Sequence, residues 1–189
     1  GNKLVKDKKM DAFVSAGNTG AMMAAATLII GRIKGVGRPT IGSIMPSEKG
    51  ITTLFDVGAS VDSKATHLAE YAIMGSIFVR EIFNIPNPTV GLLSVGEEET
   101  KGNEVSLNAL QLLRNSKINF VGNVEGRDIL NGKVNVVVCD GFVGNILLKF
   151  GESVLTLLKN LVKNYAKQGL LNKIKALLIK STLKELLKG

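Results

Sequence analysis

The chain has 189 residues, 45% of them hydrophobic and 21% charged, which suits one substantial core, or a core with an appendage, and excludes a disordered composition. Its formal net charge is +8, yet only 5% of residues are aromatic and none is tryptophan, so the stacking platforms of a nucleic-acid binder are missing and no nucleic-acid partner is expected. One cysteine, Cys139, excludes an intrachain disulfide framework and fits a reducing compartment; with a single histidine, His67, it also argues against zinc.

In chain order, Ala12–Ser15 reads as a short buried strand and Gly20–Ile30 as a closely packed helix of small residues and Met, stopped by Gly31 and Gly35. A strand follows near Ile41–Met45, then a turn at Pro46–Gly50 and a strand at Ile51–Val57. The next helix runs to about Phe83, with Leu68, Tyr71, Ala72, Gly75, Val79 and Ile82 on one face, until Pro86 and Pro88 break the pattern. Thr89–Val95 is a strand, Val105–Leu113 a helix, Asn119–Val121 a short strand with a loop over Gly122–Asp128, and Val134–Cys139 the plainest buried strand.

From Ile146 onward the spacing is helical, broken at Gln168-Gly169 and resumed through Leu170, Ile174, Leu177 and Leu178, with Lys173, Lys175 and Lys180 on other faces. Thr182–Glu185 has the spacing that would restart a last short helix. The expected organisation is an α/β body over residues 1–150 and an amphipathic helical hairpin over 151–189. No apolar run reads as long enough to span a bilayer, and the Gly1-Asn2-Lys3 start does not read as a signal peptide. The alternation of strand and helix predicts a mostly parallel, doubly wound sheet, in which ligands collect at the carboxyl ends of strands.

Three strand-to-helix turns are rich in Gly and Asn: Ser15–Gly20, Gly96–Asn103 and Asp140–Asn145. Glycine lets the backbone approach a ligand, and the helix that follows offers free N–H groups to an anion, so the trio suggests a phosphate site. Each turn also has a plain structural reading. Thr19 or Asn145 would serve as a helix cap, and Glu97-Glu98-Glu99 beside Lys101 would be a solvated surface turn rather than a Mg²⁺ ligand set. Neither a Walker loop nor the dinucleotide fingerprint is present, and Cys139 has no basic neighbour to activate it. The leucine- and lysine-rich tail suits an anionic membrane surface and a partner-subunit interface about equally.

Several stretches resemble the bacterial phosphate acyltransferases of phospholipid synthesis, the PlsX family: Asp11–Ala21, Leu54–Ala59, Tyr71–Ser76, Gly96–Asn103, Phe120–Asp128 and Val136–Lys149, in the family's order. The resemblance implies an isocitrate dehydrogenase/phosphotransacetylase-like fold and transfer of a long acyl chain from acyl carrier protein to inorganic phosphate, without cofactor or metal. It further implies a homodimer, a cytoplasmic location with peripheral membrane contact through the hairpin (Leu170, Ile174, Leu177, Leu178, Lys180), and a downstream membrane glycerol-3-phosphate acyltransferase. Matching the family's Lys-Gly-Asn and Gly-Asn motifs, Lys101 is expected to hold phosphate and Asn145 to steady the oxyanion. Ser15, Gly17, Asn18, Thr19 and Gly144 are expected to add phosphate contacts, with Asp56 organising the adjoining loop. Ser60, Ser94 and Ser153 depart from the family pattern, and the family's opening and closing segments are missing, so the chain resembles the middle of such an enzyme. The rival expectations are a short-chain phosphotransacetylase, a dehydrogenase on the related fold, and a non-catalytic carrier-protein or membrane-binding module.

Overall fold

The computed structural model describes residues 1–186, with side chains described through Ile179 and at Thr182. It forms two compact units, Gly1–Asn145 and a helical unit that begins at Ile146. The first holds a five-stranded sheet in the order β1-β2-β5-β3-β4, with β1 Gly42–Ser47, β2 Gly50–Phe55, β3 Thr89–Leu93, β4 Asn119–Val124 and β5 Val136–Val138. The pairs β2–β5, β5–β3 and β3–β4 are parallel, and only the β1–β2 hairpin is antiparallel. The expected mostly parallel sheet with flanking helices is therefore present.

The core follows from the apolar periods. Helix α3, Ala65–Phe83, lays Leu68, Tyr71, Ala72 and Val79 against Val136 and Val138 of β5 and Val90 and Leu92 of β3. Helix α4, Glu104–Arg114, adds Ala109, Leu110 and Leu113. Alternation along a strand sends Leu54 and Val137 to the other face, and they are buried as completely. A central parallel strand buried on both faces reads as a continuous apolar run, which is why Val136-Val137-Val138 was the plainest strand signal. Each such valine contributes about 1.5–3 kcal/mol through burial.

Several expectations need correction. Ala12–Ser15 is not a strand: the segment is irregular and exposed, Val14 at 92%, because no described strand lies beside it to pair. A short helix, α1 Asn2–Lys6, precedes it instead. Helix α2, Thr19–Ile29, forms as expected, but none of its residues is buried, so the close packing predicted from its small residues is not found. Ile82 of α3 is exposed; the next residue, Phe83, packs against the core in its place. Strand β1 runs on through Pro46, which an edge strand tolerates, and the turn shrinks to Glu48-Lys49. Strand β4 extends to Val124, and a helix absent from the sequence reading, α5 Gly126–Asn131, follows it.

Helix α6 spans Gly141–Ala166 and so begins five residues earlier than Ile146. Its 26 residues are long and apolar enough, by length and composition alone, to cross a membrane, against the expectation that no run is. An 18-residue stretch of the helix is apolar enough even with the charged Lys149 and Glu152 inside it. Helix α7 runs unbroken over Leu170–Leu186. Thr182 does not cap a new helix; its hydroxyl donates to the Leu178 carbonyl at 3.1 Å, the bond a mid-helix threonine makes. In this second unit Leu170, Ile174, Leu177 and Leu178 are exposed, while the side chain of Lys180 lies outside the described residues.

Candidate active site

Parallel pairing brings the carboxyl ends of β2, β5, β3 and β4 to one edge of the sheet. The segments that leave there carry four of the candidates: Asp56 after β2, Lys101 after β3, and Gly144 and Asn145 after β5. Those after β5 and β3, on adjacent strands, hold Asn145 and Lys101 respectively.

The β2 and β5 ends interlock. The Asp56 N–H donates to the Cys139 carbonyl at 3.0 Å and the Cys139 N–H to the Phe55 carbonyl at 2.7 Å. Asp56 is fully buried; its Oδ1 accepts from the Ala59 N–H at 3.0 Å and the Ile41 N–H at 3.2 Å, which ties the loop that follows β2 to the segment before β1. Its Oδ2 has no hydrogen-bond partner among the described residues. Burial pushes the Cys139 thiol far above its ordinary pKa, which leaves it an inert core residue.

The third turn is capped by Asp140, whose Oδ1 accepts from the Phe142 and Val143 N–H groups at 3.0 Å each. Asn145 therefore lies inside α6 and not at its cap, which removes the plain structural reading of that residue. Its side chain is exposed and packs over Gly58, where a Cβ would stand 3.5 Å from it. Gly144 is buried because it passes against the Asp56 carbonyl, and a Cβ there would overlap that oxygen. It is a close-packing residue that lets the turn sit down on β2.

The second turn is held from several sides. Lys101 N–H closes a turn on the Glu98 carbonyl at 3.0 Å. Asn103 caps α4, its Oδ1 accepting from the Ser106 N–H at 2.9 Å. The three glutamates diverge: Glu97 pairs with Lys133 at 2.7 Å and Glu99 with Arg114, so they do not converge on a cation, and no cluster able to hold a metal occurs among the described residues. Lys101 is exposed and has no ion-pair partner among the described residues. An ammonium that no carboxylate neutralises is available to an anion.

The first turn is built differently from the expectation. The Gly17 N–H is committed to Ser15 Oγ at 3.0 Å, and Asn18, not Thr19, caps α2 by accepting from the Ala21 N–H at 3.0 Å. These bonds close within the turn, and all of its residues are exposed.

Sequence reasoning missed the Asp128–Lys133 pair. Burial opposes a charge on Asp128, yet the Glu125 N–H at 2.9 Å, the Asn131 amide at 3.2 Å and Lys133 at 3.6 Å hold its carboxyl below the usual range. The hydrogen bond to Glu97 holds Lys133 above its own usual range, so one lysine ties the second turn to α5. A carboxyl whose folded pKa is depressed stabilises above its unfolded pKa of about 3.9, and that contribution is lost as pH falls through the folded value. Asp128→Asn is expected to cost about 1–3 kcal/mol near neutral pH in urea titrations, with the gap to wild type narrowing below about pH 4. An equal gap at both pH values would show that the charge is irrelevant.

A family model described as "Fatty acid synthesis protein" matches residues 1–188. A phosphate acyltransferase of Pelotomaculum thermopropionicum is 52% identical over 182 residues, covering 96% of this chain and 53% of that protein. One of Campylobacter jejuni is 52% identical over 185 residues, covering 98% and 56% respectively. The chain thus spans about half the length of the curated relatives it matches. In structure it is similar to the EutD phosphotransacetylase from Staphylococcus aureus, with a TM-score of 0.61 and 21% identity over 81% of this chain and 54% of that one, a likeness of fold. A family model that matches residues 1–188, with relatives at half identity, leaves one assignment: the chain belongs to the fatty acid synthesis protein family.

Proposed function

We propose that this chain carries the phosphate-binding part of an enzyme that moves a long-chain fatty acyl group from acyl carrier protein to inorganic phosphate, giving acyl phosphate for phospholipid synthesis. The observation that carries the reading is the pair of turns on adjacent strands β3 and β5, one presenting an un-neutralised Lys101 and the other Asn145, in a chain whose relatives are named phosphate acyltransferase. A thioester is already activated, so the reaction asks for no enzyme nucleophile. A phosphate oxygen attacks the carbonyl carbon, the C–S bond breaks, and the carrier thiolate leaves and takes up a proton. The protein's task is to hold phosphate, aim it and stabilise the oxyanion.

In this reading Lys101 holds phosphate, Asn145 donates its amide to the oxyanion, and the open N-terminal turn of α2, with Ser15, Gly17, Asn18 and Thr19, adds contacts when substrate is bound. Asp56 and Gly144 keep the third turn in place. The net charge of +8 steers the acidic carrier protein. The enzyme works in the cytoplasm as a homodimer at the surface of an anionic membrane, where a glycerol-3-phosphate acyltransferase consumes the product. The exposed apolar residues of α6 and α7, among them Phe150, Leu157, Leu161, Ile174 and Leu178, suit that surface contact. A span is disfavoured because Lys149, Glu152, Lys159 and Lys163 are spaced along α6, and charges are costly within a bilayer.

Those same exposed faces favour a second reading, a carrier-protein or membrane-binding module without turnover. Incubation with long-chain acyl carrier protein, with and without phosphate, separates the two. Release of carrier thiol that depends on phosphate is the expected result. Carrier binding without phosphate-dependent release would put the binding module first.

A further inference from the structure

We infer that Asn123 is a positioning residue for Lys101, acting through the backbone of the turn that carries the lysine. Strand β4 pairs with β3 in register up to Val90↔Phe120, then slips so that Gly91 faces Gly122 and Leu92 faces Asn123. The extra residue, Val121, is bulged out, and Gly122 takes a φ of +103°, a conformation that glycine adopts without strain. An unbulged strand would turn Asn123 to the opposite face. The bulge instead places it beneath the turn that leaves β3, where it is 6% exposed.

There its amide nitrogen donates to the Glu98 carbonyl at 2.9 Å and approaches the Lys101 carbonyl at 3.5 Å. The Glu98 carbonyl also receives the Lys101 N–H, so one oxygen closes the turn from within and anchors it from below. Both ends of the four-residue turn Glu98–Lys101 are thereby fastened to the rigid sheet. Lys101 has a long, flexible side chain and no ion pair among the described residues to hold it, so its aim is set by its backbone. An amide is required at position 123, because two carbonyl oxygens must be met by a donor and a carboxylate has none to give.

This inference rests on the reading of Lys101 as a phosphate ligand, so its test runs both variants side by side. Asn123→Ser removes the reach and Asn123→Asp removes the donor. Each is expected to raise KM for phosphate about tenfold while kcat at saturating phosphate changes less, the pattern of lost ground-state binding. Asn123→Gln, which keeps the amide, is expected to restore part of the loss. Combining Asn123→Ser with Lys101→Met is expected to be no worse than Lys101→Met alone, because one variant acts through the other. Hydrogen exchange at the Lys101 amide supplies a readout independent of turnover, and it is expected to quicken in Asn123→Ser while the melting temperature holds. Unchanged phosphate KM in Asn123→Ser and Asn123→Asp, with Lys101→Met impaired, would overturn the positioning role alone. Unchanged kinetics in Lys101→Met would overturn the phosphate reading, whatever Asn123 does to the turn.

Discussion

Gly144→Ala is expected to lower the urea midpoint more than any other single methyl addition in the α/β unit, by the equivalent of about 3 kcal/mol. A Cβ at this position would overlap the Asp56 carbonyl oxygen and stand 3.0 Å from Cys139 Sγ. Neither neighbour can yield. The Asp56 backbone is pinned by its N–H to the Cys139 carbonyl, and Cys139 is pinned in turn by its N–H to Phe55. Relief would have to come from lifting the start of α6 away from β2, which also moves Asn145 off Gly58. Stability and turnover are therefore expected to fall together. Gly126→Ala is the matched control, since a Cβ there meets nothing within 4 Å and the residue begins α5. It is expected to leave the midpoint unchanged or raise it by about 0.5 kcal/mol. A Gly144→Ala protein that unfolds with wild type would mean that the third turn does not rest on β2.

What the sequence disclosed follows the range of the physics behind each signal. Helix α3 was legible because burial of Leu68, Tyr71, Ala72 and Val79 imposes a helical period over nineteen residues. Strand β5 was legible because a strand buried on both faces has no polar positions. Two of the failures depend on partners that local pattern does not encode. Ala12–Ser15 carries strand-like residues, but a strand exists only beside another. The small residues of α2 suit close packing, yet none of them is fully buried, and the neighbour recorded against the helix is the short helix α1. Helix α5 left one usable sign, the Glu125-x-x-Asp128 spacing, in which the Asp128 carboxylate accepts the Glu125 N–H.

The candidate site divides in the same way. Lys101 and Asn145 were found from motif resemblance, and the fold then showed that their turns leave adjacent strands. The supports beneath them, Asn123 and the Asp128–Lys133–Glu97 chain, were invisible. The first depends on a bulge in β4 that only its pairing with β3 reveals, and the second on the reach of Lys133, just past α5, to Glu97 in the turn after β3.

Lys101→Met is expected to lose phosphate-dependent thiol release by about 100-fold in kcat/KM with no change in melting temperature. The separation of the two effects is the informative part. Lys101 is exposed, and no ion pair among the described residues is broken when its charge is removed. Its turn is closed by backbone groups and by Asn123, none of which the substitution touches. Folding should not register the change. Phosphate, by contrast, would lose a charge-assisted hydrogen bond worth about 1.5–3 kcal/mol, and the developing negative charge on the reacting oxygens would lose its counter-ion. Lys101→Arg keeps the charge but spreads it over a planar fork on a differently shaped side chain, so an intermediate rate is expected. Asn145→Ala is expected to lower kcat more than KM, since an oxyanion contact forms only as the thioester carbonyl is attacked. Full activity in Lys101→Met would sink the assignment and return the second turn to a solvated surface loop.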